Sequence, residues 1–393
     1  MLSIDCRFPG GNIKVHDIQG DTLFVSPDLR DTRTSWFYWA FRVRGGAGRS
    51  LVFRFLSDHP VGTRGPAIST DGRRTWRWTD EPFDQDAFRV TIPADDTYLC
   101  FAPLYTQENW DRFLADESAR AAGTANGFVP GFFATSRKGR PVEILHAGAE
   151  AATAGRHVVV TARHHCCEMI ADWTMEGLAS AVLDGDGVDA AWLRANVSFS
   201  FVPFVDKDGV EAGDQGKNRA PHDHNRDYGA DVLYPETAAV RALVDTVAKR
   251  YGKLDLFLDL HCPWIRGEAN ETVYQVGSKF PAHAAQQEVF GDLVEAACGP
   301  DSLPYRRADN FPFGTGWNTA GNEADGVSSV KWAGAHPGVA FATSFEIPYA
   351  NVRDVDVTPD RARGLGRAIA SAIARYLRDA TPVGGRARRQ LSR

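Results

Sequence analysis

The sequence predicts an α/β fold, a sheet flanked by helices, preceded by an all-β sandwich. Three observations carry this. The first 110 or so residues hold short aromatic and β-branched runs split by turn signals, several alternating with period two. Beyond residue 112, apolar runs of strand length alternate with long helical patterns. The later strands read as near-continuous apolar runs, as in a sheet covered on both faces. A length of 393 residues suits two domains. The expected division is a sandwich at 1–112, an α/β domain at 113–380 and a basic, disordered tail at 381–393.

The sandwich strands are read at Trp36–Val43, Leu51–Phe55, Trp76–Trp78 and Phe88–Ile92. Between them lie Gly45-Gly46-Ala47-Gly48, Asp58-His59-Pro60 and Asp71-Gly72, which are turn sequences. The tryptophans are expected in the core and between the sheets; a carbohydrate-binding face is the alternative. In the α/β part, helices are expected at Asn109–Ala121, Glu168–Leu183, Glu236–Tyr251, His283–Cys298 and Pro359–Asp379. Strands are expected at Val142–Leu145, His157–Thr161, Val197–Val202, Leu254–His261 and Val339–Ile347. The tail from Thr381 carries four arginines and no acid, the character of a solvated terminus.

Composition narrows the function. At 43% hydrophobic and 24% charged residues, the chain matches ordinary soluble globular proteins. A net charge of −6 argues against nucleic-acid binding, which favours basic surfaces. No apolar run approaches the roughly 18 residues of a membrane span, and the N-terminus lacks the basic and apolar regions of a signal peptide. Six cysteines without disulfide-framework spacing suit a reducing cytoplasm.

The chemistry gathers at Ala162-Arg163-His164-His165-Cys166-Cys167-Glu168, between the strand 157–161 and an apolar-periodic helix. His165 and Glu168 are three apart there, so their side chains can converge at the C-terminal edge of a sheet, where open α/β folds bind ligands. An imidazole and a carboxylate are two of the three protein ligands a catalytic zinc takes. For this pair alone, a buried structural hydrogen bond is the competing reading. Further elements follow in order: Asp208-Gly209-Val210, then Gly216-Lys217-Asn218-Arg219, Asn225-Arg226, a strand ending in His261, and a strand ending in Ser344-Phe345-Glu346. His164, adjacent to His165, cannot share its face and is expected to be structural. His222 and His224 form a His-x-His that could hold a second metal, though loop histidines usually hold none.

This ordered set resembles the zinc carboxypeptidases of the carboxypeptidase A superfamily. The sandwich text, Trp36-Phe37-Tyr38, Asp71-Gly72 before Trp76, and Phe101-Ala102-Pro103-Leu104-Tyr105-Thr106, is similar to that of the cytosolic carboxypeptidases. The resemblance covers most of residues 30–350 and implies a mixed sheet in the α/β domain, which would be catalytic. It implies that His165, Glu168 and His261 ligate one Zn2+, leaving a position for water. Glu346 would be the general base, Arg219 would stabilise the oxyanion, and Asn225 with Arg226 would clamp the substrate's terminal carboxylate. Asp259, two before His261, would orient that ligand.

The sequence departs from the family pattern in two places. Cys166-Cys167 stand where the family commonly has Pro-Gly, and are read as inert packing with oxidation sensitivity as the alternative. The stretch 318–329 lacks the tyrosine that carboxypeptidases often carry in a mobile loop. The family's specificity position, fifteen before the catalytic Glu, falls on Lys331, which would favour a C-terminal glutamate or aspartate. The expected function is cytoplasmic hydrolysis of the C-terminal peptide bond of peptides or proteins. The alternatives are a zinc amidohydrolase of small N-acyl amino acids, as in the aspartoacylase and succinylglutamate desuccinylase group, or a catalytically silent peptide-binding protein.

Overall fold

The computed structural model describes residues 2–57, 59–121, 127–324 and 326–379. The tail expected at 381–393 lies outside the described residues. Nine strands form the N-terminal part: β1 (Ser3–Asp5), β2 (Lys14–Gln19), β3 (Thr22–Ser26), β4 (Ala40–Arg44), β5 (Ser50–Phe55), β6 (Ala67–Ser69), β7 (Arg77–Trp78), β8 (Ala87–Thr91) and β9 (Thr97–Cys100). They make two sheets, ordered β1-β4-β9-β6-β7 and β2-β3-β5-β8. Alternation decides the inner faces: Leu23 and Val25 of β3, and Leu51 and Phe53 of β5, are fully buried. Phe41 of one sheet meets Phe53 of the other at 4.9 Å, and Trp39 stacks on Phe88 at 5.5 Å. The strand expected from Trp36 starts only at Ala40. The backbone of Tyr38 is taken instead by the side chain of Gln215, whose Oε1 accepts from Tyr38 N at 2.8 Å and whose Nε2 donates to Tyr38 O at 2.9 Å.

The α-helices and the strands of the central sheet are α1 (Gln107–Ala121), β10 (Val129–Thr135), β11 (Pro141–Gly148), β12 (Arg156–Ala162), α2 (Ile170–Leu183), α3 (Val188–Asn196), β13 (Val197–Val202), α4 (Lys207–Ala212), α5 (Pro235–Tyr251), β14 (Leu256–His261), β15 (Tyr274–Gln275), α6 (Pro281–Ala297), α7 (Ser329–Ala335), β16 (Ala342–Glu346) and α8 (Pro359–Asp379). The sheet runs β10-β11-β13-β12-β14-β16-β15. It is mixed: the central β13, β12, β14 and β16 are mutually parallel, while β10, β11 and β15 join antiparallel. Helices cover both faces, as the apolar strands imply. Val158, Val160, Leu256, Leu258 and Leu260 pack with α2 and α8, whereas Val159 and Phe257 pack with Val240, Val244 and Val247 of α5. The period-two split of one apolar strand between two cores follows from the pleat.

Short or exposed elements escape the sequence. β10 is an edge strand, mostly exposed, with Pro130 and Gly131 inside it, so it shows no buried alternation. The helix expected from Glu168 begins at Ile170, because residues 163–169 are spent on a turn. Parallel pairing brings the C-terminal ends of β12, β14 and β16 to one sheet edge and sets His261 beside Glu346.

Candidate metal centre and active-site cavity

The turn after β12 is held by a buried arginine. Arg163 sits in the left-handed region at φ 61°. Its Nε donates to Cys166 O at 2.9 Å and its Nη1 to Tyr105 O at 3.2 Å, and it pairs with Asp172. This grip serves where the family pattern has Pro-Gly. Cys166 and Cys167 are both buried, and Cys166 Sγ donates to Asp214 O at 3.0 Å. Burial pushes the Cys167 thiol up to about 12 and that of Cys166 well above its ordinary value. Thiols so protonated at neutral pH are poor nucleophiles and poor metal ligands.

Just beyond this turn the donors converge. Glu168 Oε1 lies 2.7 Å from His165 Nδ1, and Glu168 Oε2 lies 2.7 Å from His261 Nδ1. The ligand atoms of the three residues fall within 4.8 Å of one another, all buried. Each histidine meets an aspartate at its other nitrogen: His261 Nε2 meets Asp259 Oδ2 at 2.8 Å, and His165 Nε2 meets Asp223 Oδ1 at 3.4 Å. Such outer carboxylates fix ring orientation and tautomer. A second grouping, His164, Asp259 and His261, sits behind the first. Both nitrogens of His164 are engaged there, by Asp259 at 3.0 Å and Tyr228 OH at 2.7 Å. Neither His164 nor Asp259 reaches the cavity.

Two observations fit His165, Glu168 and His261 to a divalent ion. Burial opposes protonation of His261, yet Asp259 and Glu168 outweigh it and push its pKa well above the ordinary histidine value. The floor of the site therefore favours positive charge, which a metal ion supplies. Glu346 Oε2, buried and without a hydrogen-bond partner, adds a polar atom beside the donors that protein groups leave unsatisfied.

A cavity of about 320 Å³ opens over this centre. His165, Glu168, His261, Glu346, Asn225, Arg226 and Lys331 all line it. Asn225 Oδ1 accepts from Ser329 N and Oγ at 3.0 and 3.1 Å, which leaves its Nδ2 facing the cavity, 3.5 Å from His261 Nε2. Arg226 donates to Asn225 O at 2.9 Å and Asn322 Oδ1 at 3.0 Å. Lys331 stands on α7, after the Ser328 N-cap.

Arg219 is not brought to the cavity, contrary to the sequence expectation. Its guanidinium is held by Asp31 at 2.9 Å, Asp206 at 2.6 Å and Asp214 at 3.3 Å, and it is absent from the lining. Gly209 makes room for it, since a Cβ there would lie 2.5 Å from Arg219 Nη2. From this segment it is Lys217 that lines the cavity, its Nζ 3.2–3.3 Å from the ring nitrogens of His165. Asn218 between them is left-handed, at φ 53°, so the two side chains part. Aromatic lining comes from Trp36, Trp264, Tyr274 and Trp317. Tyr274 comes from strand β15 and not from the stretch 318–329.

His222 and His224 do not converge. His222 Nε2 meets Asp227 Oδ1 at 2.7 Å. His224 stacks on Tyr234 with centroids 3.7 Å apart, neither ring nitrogen hydrogen-bonded. Burial lowers its pKa to about 4, against the pull of Asp206. The unfolded value is about 6.5. Between those values the unfolded chain binds the extra proton, so this stabilisation is complete above about pH 6.5 and is lost as pH falls through 4, at most about 3 kcal/mol. His224→Phe keeps the stacked ring and is expected to flatten the acid side of the stability profile. Denaturant melts between pH 6.5 and 4 check this; an unchanged slope would assign the acid lability elsewhere.

The fold and the site define a class. The chain has the metallo-carboxypeptidase fold: over 96% of its length it superposes on 99% of a metallo-carboxypeptidase from Burkholderia cenocepacia, with a TM-score of 0.77 and 23% identity. It is 26% identical over 98% of its length to an uncharacterized protein of Zymomonas mobilis, spanning 99% of that protein. It is also 32% identical over 149 residues to cytosolic carboxypeptidase 3 of Mus musculus, a match covering 36% of this chain but only 14% of the mouse protein. No family model matches. No helix among the described residues is long and apolar enough to cross a membrane.

Proposed function

We propose that this chain is a zinc-dependent metallocarboxypeptidase that removes C-terminal residues from peptides or proteins, with a preference for glutamate or aspartate. The observation that carries the reading is the single cavity shared by His165, Glu168 and His261, the Glu346 carboxylate with its unbonded Oε2, and the Arg226 guanidinium. Zinc at such a centre supplies Lewis acidity, polarising a carbonyl and lowering the pKa of water to roughly 7. Glu346 takes the proton of the attacking water and passes it to the leaving amine as the C–N bond breaks. Lys217, in the role the sequence suggested for Arg219, faces the oxygen that gains negative charge. Arg226 binds the terminal carboxylate in the bidentate geometry that a guanidinium allows, with Asn225 Nδ2 beside it.

The charge of the cavity supports the acidic preference. Its acids, Glu168 and Glu346, are both at the centre, while Lys217, Arg226, Lys279 and Lys331 line the walls. That all six cysteines are free supports a cytoplasmic location.

The test is release of amino acids from paired peptides with free and amidated C-termini. Wild type is expected to cut only free C-termini, fastest at Glu and Asp. Arg226→Ala should raise KM for free C-termini on the order of 10- to 100-fold, the scale of a lost charge-assisted pair. Equal cleavage of amidated peptides would remove the clamp from the reading, and a preference for apolar or basic ends would remove the role of Lys331.

A further inference from the structure

The segment carrying Lys217 is held almost residue by residue from the β-sandwich. Asn12 Nδ2 donates to Gly213 O at 2.7 Å. Arg30 Nε donates to Asp214 Oδ1 at 2.9 Å. Gln215 is gripped by the backbone of Tyr38, and Asn218 by Arg33 N, which donates to Asn218 O at 3.1 Å, and by Thr34 Oγ1 at 2.9 Å. At the centre is Asp31. Its Oδ1 accepts from Gln215 N at 2.8 Å, and its Oδ2 accepts from Gly216 N and Arg219 Nε, both at 2.9 Å. Gly216 is fixed on its other side too: it is left-handed at φ 76°, and a Cβ there would lie 2.4 Å from Cys166 N. Within 213–219, Lys217 is the residue to which no hydrogen bond from the sandwich is seen among the described residues, and its side chain lines the cavity.

We infer that the N-terminal sandwich is a working half of the active site, and that Asp31 is the positioning residue that holds Lys217 over the reacting carbonyl. This rests on the carboxypeptidase reading for what Lys217 does, but not for how it is held. Asp31 touches no substrate and acts through the two amides on the N-terminal side of Lys217 and the guanidinium beyond it. One carboxylate with three donors fixes the backbone before a long, flexible side chain and the Arg219 guanidinium after it. Without it, the ammonium keeps its charge and loses its place, and displacement of about 1 Å can cost on the order of 10²-fold in rate. Trp36, also from the sandwich, completes the wall by meeting Trp264 edge-on at 4.7 Å.

The experiment is a double-mutant cycle in the full-length, zinc-loaded protein, combined with amide exchange. Asp31→Asn is expected to lower kcat on the order of 10- to 100-fold with KM within twofold of wild type and zinc content unchanged. Asp31→Asn/Lys217→Met should be no slower than Lys217→Met alone, because both lesions remove the same cation from the carbonyl. In Asp31→Asn the amides of Gln215 and Gly216 should exchange faster than in wild type, while those of His165–Glu168 keep their protection. Asp31→Glu, which keeps the charge and fold, should recover part of the rate. Multiplicative losses in the double variant, unchanged kcat in Asp31→Asn, or unchanged exchange at Gln215 and Gly216 would each overturn the inference. If wild type releases no C-terminal residue, the carboxypeptidase reading fails instead, and the exchange measurement alone then decides whether Asp31 holds the segment.

Discussion

Glu346→Gln is expected to lower kcat by about 10²- to 10⁴-fold, the usual share of a positioned general base, while the protein keeps its metal and its fold. The reason lies in the strand register. Glu346 ends β16 beside His261 of β14, close to the donors but outside the set that converges on Glu168. Its carboxyl is pushed up to about 7 by burial and by the charge of Glu168, against His261, Lys217 and His165. A bound ion nearby lowers that value further, so the acid limb of kcat should lie at or below about pH 7, with rate rising as the carboxylate form fills. The glutamine variant should lose the limb along with the rate. Full activity in it would take the proton-transfer role away from Glu346, and loss of zinc would make Glu346 a ligand.

The second large effect separates two cations that the sequence sets two residues apart. Lys217→Met should lower kcat about 10²- to 10³-fold, the scale of one oxyanion donor, with little change in stability. Arg219→Met should act first on stability, with a smaller loss of rate through the place of Lys217. It leaves Asp31, Asp206 and Asp214 around an empty place, and breaking a buried ion pair from one side costs roughly 3–5 kcal/mol. Single-turnover rates and denaturant unfolding of the two variants settle the division. If Arg219→Met were stable but slow and Lys217→Met unaffected, the roles would be exchanged.

That pair also marks where the sequence stops being legible. That His165, Glu168, His261 and Glu346 gather at one sheet edge is legible because each follows or ends an apolar strand, while the roles proposed for them come from the family resemblance. The resemblance alone led to Asn225 and Arg226, which line the same cavity. Choosing between Lys217 and Arg219 needs Asp31, which lies in the N-terminal β-rich part nearly two hundred positions earlier. Asp223, which backs His165, gave no periodic signal because it sits in an irregular loop. In the fold, α2, α5 and α8 are legible from their apolar faces. By contrast β15 is two residues long, α7 is seven, and the strand expected from Trp36 starts only at Ala40, with a distant Gln215 taking the backbone of Tyr38.

We propose a metal-dependent carboxypeptidase centre at His165, Glu168 and His261. Its most direct test is zinc content per chain, measured together with release of C-terminal residues before chelation, after chelation and after zinc is restored. The expected result is one zinc per chain, release abolished by the chelator and recovered with the metal, and neither in His261→Ala. Peptide release that survives complete removal of metal, or a protein that binds no zinc at this site, would contradict it.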